Sequence, residues 1–196
     1  MRMSQPRTFA DVLVSPVTGR AELVRDFVMA LAGSALIAVC AKIRIGGPVP
    51  FTMQSWAVIL LGAALGSRRG ALVVSAYLSE GFVGLPVFAG PVAGPAYLLG
   101  PTGGFLLGFL PAAIVVGWLA ERKWDRHFFT AVIAVGIGDA IILTIGVCWL
   151  AYLSGFRSAL SIGLRPLWIA DLLKVLLAAL ALPGVWRLIG RGTRIP

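Results

Sequence analysis

The chain has 196 residues, of which 59% are hydrophobic and 13% charged, and its mean hydropathy is +0.93. A water-soluble domain carries about a quarter charged residues, so this composition specifies an integral membrane protein, and its long apolar runs make the expected fold class all-α. The net charge of +9 does not indicate nucleic acid as a partner, because the basic residues form short scattered clusters without interleaved base-stacking aromatics.

The lengthy polar stretch lies at the start, "MRMSQPRTFADVLVSPVTGRAELVRD". It is too short to bury a core of its own, and it has no early apolar run with a small-residue cleavage site. The expected organisation is a cytoplasmic tail over 1–26, a membrane domain over 27–189 and a cytoplasmic tail over 190–196. Apolar runs predict six spans, near 27–41, 53–66, 70–83, 103–120, 128–152 and 167–186. The second and third are short, but the linker "GSRRG" argues against one broken helix. Arg68 and Arg69 at the bilayer centre would be costly, so the chain surfaces there.

With the tail inside and sides alternating, Arg2, Arg7, Arg20, Arg25, Arg68, Arg69, Arg122, Lys123, Arg126, Arg187, Arg191 and Arg194 fall on the cytoplasmic side. Lys42, Arg44, Arg157 and Arg165 fall outside, and Lys174 lies within the membrane. Twelve against four obeys the positive-inside rule and makes both termini cytoplasmic.

Three ladders of small residues recur every four positions: Ala30, Ser34 and Ala38; Gly62, Gly66 and Gly70; Gly100, Gly104 and Gly108. Each marks a helix face that another backbone can approach closely. Internal packing accounts for the glycine ladders, whereas the first also suits a partner subunit. The connection "GLPVFAGPVAGPAYLLGPTGG" carries no charge, so it is expected to line a cavity or to fold over the helix ends. Cys40 and Cys148 sit in apolar runs and are read as small core residues.

The sixth span, "LWIADLLKVLLAALALPGVW", contains Asp171 and Lys174. On a helix starting at Pro166 they lie about 8 Å and about 12 Å from the outer end, on one face. Lys174 can snorkel, but the shorter Asp171 cannot. The readings are an ion pair holding the bundle or a site for a polar ligand loaded from outside. Asp139 is expected either to pair with Lys174 or line the same cavity, or to make a structural polar contact. Glu80 is a rim charge or a ligand contact, and His127 is an interfacial residue. The chain has no Walker motif, no Ser–His pairing and no cluster with metal-ligand spacing. No enzyme activity, cofactor or metal is expected.

The segments "VPFTMQ", "GLPVFAG", "GPTGGFLLGF" and "DLLK" occur in one order. Together they resemble the BioY family, the biotin-specific S components of energy-coupling factor (ECF) vitamin transporters, from about Ala30 to Leu180. The resemblance implies a six-helix S-component fold in the bacterial cell membrane, with a biotin pocket near the outer face under the loops after helices one, three and five. It implies two kinds of partner, a transmembrane coupling subunit (the T component) and two cytoplasmic ATPases. It assigns Asp171 and Lys174 to biotin and the segment from Val49, including Pro50, Phe51, Thr52 and Gln54, to a lid. It assigns Ala30, Ser34 and Ala38 to the coupling surface, with serine where the family has alanine. Biotin has two ureido N–H groups, a ureido oxygen, an apolar ring and a carboxylate. Asp171 would accept a ureido N–H, and Lys174 would donate to the ureido oxygen or to the carboxylate. Backbone N–H groups around Gly103 and Gly104 are candidates for the carboxylate tail. Tyr77, Tyr97, Trp56 and Trp168 are candidate ring walls, and Glu80 a further ligand contact. The alternatives are a self-sufficient oligomeric biotin carrier and a membrane assembly subunit that transports nothing.

Overall fold

The structure is a computed structural model and describes residues 8–13, 19–45, 49–90, 93–164 and 168–192. Of the residues singled out above, Arg2, Arg7, Arg165, Pro166, Arg194 and the side chains of Trp168 and Arg191 lie outside the described part. The helices are α1 (Phe9–Leu13), α2 (Arg20–Lys42), α3 (Gln54–Leu65), α4 (Ser67–Phe82), α5 (Pro95–Leu98), α6 (Gly103–Glu121), α7 (Phe128–Ser154), α8 (Phe156–Ala159) and α9 (Trp168–Gly192). A two-residue ribbon pairs β1 (Arg44–Ile45) antiparallel with β2 (Phe51–Thr52), Arg44 opposite Thr52. Among the described residues, α2, α6 and α7 are long and apolar enough to cross a membrane.

Two helices overrun the expected spans. Helix α2 starts at Arg20 rather than 27, inside the expected tail, and α9 continues through Pro183 to Gly192. Their polar outer turns are helical although hydropathy does not mark them. The expected corner at "GSRRG" is a single residue, Gly66, whose φ of 85° is open to glycine without strain. Beyond it, the Glu121 carboxylate accepts from the Ser67 N–H at 2.7 Å and the Ser67 hydroxyl at 2.8 Å, which satisfies a free donor at the start of α4.

The glycine ladders pack internally. A Cβ at Gly62 would lie 2.8 Å from the Ala113 carbonyl oxygen, one at Gly117 2.4 Å from Ser67 N, and one at Gly108 3.0 Å from Ile142 Cα. Helix α6 is therefore held at backbone distance by α3, the α3–α4 corner and α7. The core between them contains Val58, Val73, Val74, Ala112, Ala113 and Val116, each at most 1% exposed. Large apolar residues of α2 such as Leu23, Phe27 and Val39 remain exposed, as suits a surface solvated by lipid.

Charged contacts gather at one end. Arg69 bridges Asp11 of α1 at 3.0 Å and Asp26 of α2 at 3.4 Å. Phe9 stacks on Trp186 of α9 with centroids 4.4 Å apart, and the Trp186 indole N–H donates to Asp125 in the 3-10 turn Trp124–Arg126. The opposite end carries the ribbon, residues 83–90 and α5.

Candidate functional site

Asp171 lies in the first turn of α9 and Lys174 one turn further on the same face. Both are buried, 5% and 6% exposed. The Lys174 ammonium does not snorkel; it turns inward, donating to Asp171 Oδ1 at 2.9 Å and to the Ser55 hydroxyl of α3 at 2.9 Å. Its nitrogen also lies 4.1 Å from the centre of the Phe51 ring, a cation–π contact under the ribbon. An ion pair out of water loses hydration that its own attraction only partly restores. This pair holds further partners on two other elements and faces a cavity.

The cavity encloses about 50 Å³ between α9, α7, α6 and the ribbon. Val49, Pro50, Phe51, Thr52, Gln54 and Ser55 form one wall, and Ala89, Tyr97 and Thr102 of the charge-free connection form another. Phe105, Leu106 and Phe109 of α6 supply an apolar floor at helical spacing, and Asp139, Ile142 and Leu143 contribute one face of α7. Asp139 is 7% exposed and makes no hydrogen bond among the described residues. It lines the cavity shared with Asp171 and Lys174 but forms no ion pair with the lysine.

Several expected site residues need correction. Glu80 does not line this cavity. Its Oε1 lies 2.8 Å from the Ser34 hydroxyl, so it binds α4 to α2. Gly103 and Gly104 are not among the residues that line this cavity; both are closely packed, a Cβ lying 1.7 Å from the Leu98 carbonyl oxygen at Gly103 and 2.2 Å from Trp149 Cβ at Gly104, and the Gly103 N–H is engaged by the Gly100 carbonyl at 3.0 Å. Tyr77 is fully buried behind the wall, where its hydroxyl accepts from Gln54 Nε2 and donates to the Val87 carbonyl oxygen at 3.2 Å. It orients Gln54 and has no face on the cavity. Trp56 packs on the core. The ladder Ala30, Ser34 and Ala38 turns inward: Ser34 is 1% exposed, Ala38 packs on the core, and Ala30 is half-buried. Four-residue spacing marks a face for close approach without saying which neighbour takes it, and here α4 does.

Nothing in the sequence marks Ser55, which directly follows the "VPFTMQ" segment, as a partner of Lys174. Serine is unremarkable in a membrane helix, and only its place opposite Lys174 distinguishes it. Phe105 and Phe109 were legible as a pair four residues apart, yet nothing in their spacing separates a cavity floor from ordinary core.

The model described as the BioY family matches residues 7–191 of this chain. The biotin transporter BioY of Thermotoga maritima is 43% identical over 159 residues, 80% of this chain and 93% of that protein. The biotin transporter BioY2 of Lactococcus lactis subsp. cremoris is 36% identical over 152 residues, covering 76% and 82%. Among solved structures, the S-component for biotin from an ECF-type ABC transporter superposes with a TM-score of 0.75 at 25% identity, covering 87% of this chain and 95% of the other.

Proposed function

The chain belongs to the BioY family, and we propose that it is a biotin-binding membrane subunit that mediates biotin uptake, holding the vitamin in the cavity beside Asp171 and Lys174. The observation that carries the reading is the ion pair itself: a carboxylate and an ammonium buried at one end of a membrane helix and opening onto a chamber with aromatic and aliphatic walls and a few polar groups. Its hydrogen-bonding capacity exceeds what the protein uses. Lys174 has three donors and two protein acceptors. A cyclic urea with an apolar ring and a polar tail matches such a chamber.

A cavity of about 50 Å³ has room for only a few waters, so biotin requires the ribbon to lift and Phe51 to leave the lysine. Pro50, Phe51, Thr52 and Gln54 would act as the lid, and Tyr97 would flank the bound ring. Six crossings, with α3 and α4 as short ones joined at Gly66, put the cavity at the outer face and both termini in the cytoplasm. Release inward would need energy from outside this chain, namely a transmembrane coupling subunit and two cytoplasmic ATPases. Uptake that persists in cells lacking the coupling subunit would favour a self-sufficient carrier.

Losing one member of a buried, hydrogen-bonded charge pair costs about 2–5 kcal/mol. Asp171→Asn and Lys174→Ala are each expected to weaken biotin binding by well over tenfold while leaving the protein in the membrane. Titration of the purified variants by calorimetry checks this. Wild-type affinity in both removes the assignment.

A further inference from the structure

Asp139 is the unexplained acid of the cavity. It sits midway along α7, 7% exposed, and neither of its carboxylate oxygens accepts a hydrogen bond from the described residues. An acid buried without a donor is unfavourable, and in a membrane helix it is retained only where it faces a partner or a chamber. The chamber here is the one that Asp171 and Lys174 line. Asp171 already has Lys174 on Oδ1, and Lys174 also donates to Ser55, whereas Asp139 offers its full accepting capacity to whatever enters. Its helical neighbours Ile142 and Leu143 present apolar surface to the same space. Asp139 is thus the polar point of an otherwise greasy face.

We propose that Asp139 is a specificity-determining residue that reads the second N–H of the ligand's ureido group. This rests on biotin being the ligand. A cyclic urea presents donor, acceptor and donor in order along one edge, N–H, C=O, N–H. The cavity lining holds the complementary set of groups on two helices, a carboxylate from α7 and an ammonium and a second carboxylate from α9. Asp139 and Asp171 each take one N–H, and Lys174 gives its remaining donor to the ureido oxygen. With two carboxylates and one ammonium at this end, the negatively charged tail of the ligand is directed away, toward Thr52, Gln54 and Thr102 on the other walls. A ligand with a carboxylate in place of the urea is repelled, which gives discrimination by unpaired charge as well as by attraction.

The test uses the purified full chain stripped of ligand, with biotin and the two cyclic carbamate analogues in which an oxygen replaces one ureido N–H without adding bulk. A hydrogen bond to a charged acceptor predicts that Asp139→Ala weakens biotin binding by at least about tenfold. Asp139→Asn, which keeps the shape and a neutral acceptor, should weaken it less. The thermal midpoint of the ligand-free variants should be no lower than wild type, since the removed acid had no protein partner. For one of the two carbamates, the one with oxygen facing Asp139, the Asp139→Ala penalty should vanish or reverse. Unchanged biotin affinity in Asp139→Ala overturns the proposal, as does a penalty of the same size for biotin and both carbamates. A wild-type chain that binds no biotin overturns instead the reading beneath it.

Discussion

Burial sets the behaviour of single acids at the charged end of the molecule. Asp125 is 1% exposed and accepts the Trp186 indole N–H on Oδ2, while its buried Oδ1 has no hydrogen-bond partner. Burial pushes its carboxyl above the ordinary value of 3.8, more than the Trp186 N–H and the neighbouring Arg126 draw it down. Asp11 behaves in the opposite way. Burial also opposes its charge, but bonds to Arg69 and Thr8 outweigh that and hold it below 3.8. For Asp125 the sign follows directly: the fold favours the neutral acid, so its contribution to stability is full below pH 3.8 and is lost as pH rises through the raised folded value. Asp125→Asn keeps an acceptor for Trp186 and cannot ionise. Its melting temperature at neutral pH is expected to be no lower than wild type, and its fall with rising pH flatter. Asp125→Ala strands the indole N–H and should cost about 1–3 kcal/mol. Thermal unfolding of the detergent-solubilised proteins across pH separates these cases, and a wild-type slope in Asp125→Asn would contradict the assignment.

At the scale of elements, the wall of the cavity depends on a loop held by aromatic packing. Residues 83–90 fold back over α4 because Phe88 fills the space that Gly81 leaves open: a Cβ at Gly81 would lie 2.0 Å from Phe88 Cζ. Phe88 is fully buried, meets Tyr77 edge-on at 5.5 Å and stacks on Tyr97 at 4.9 Å. Lys42 at the end of α2 fixes the same loop by donating to the Pro86 and Phe88 carbonyl oxygens at 2.6 and 2.9 Å. Tyr97 reaches the cavity, so the position of one cavity wall is set by a glycine outside its lining. Gly81→Val should expel Phe88 and destabilise by about 1–3 kcal/mol. Ligand affinity should fall with it, because Tyr97 loses its stacking partner. Gly136→Val on α7, where a Cβ meets nothing within 4 Å, is the control and should leave both unchanged. Melting temperatures and biotin titrations of the two variants provide the comparison.

Across the whole molecule, hydropathy locates the apolar middles of the helices but not their polar ends or their rotation. A helix in lipid is apolar on both the lipid and the core side, so Phe27 and Leu31 facing out and Ile37 and Cys40 facing in carry the same signal. For that reason the direction of the Ala30, Ser34 and Ala38 stripe was not legible, nor was the turn of Glu80 toward α2. The pair Asp171 and Lys174 was legible, since an ionised group inside a membrane segment demands a reason wherever it points. The short amphipathic α1 was not, because its five residues give no periodicity to read and are fixed by Phe9 on Trp186 and Asp11 on Arg69. The charge distribution was legible as a sidedness, and the fold gathers Asp11, Arg25, Asp26, Arg69, Glu121 and Arg126 at the end opposite the cavity. If that end is cytoplasmic, exposed positions at the two ends must differ in access from outside the cell. Arg157 in α8 and Arg68 at the start of α4 are both exposed. In a background with Cys40→Ala and Cys148→Ala, Arg157→Cys is expected to react with a membrane-impermeant maleimide in intact cells. Arg68→Cys should react only after permeabilisation. The reverse pattern would invert the protein in the membrane and turn the Asp171–Lys174 cavity to face the cytoplasm.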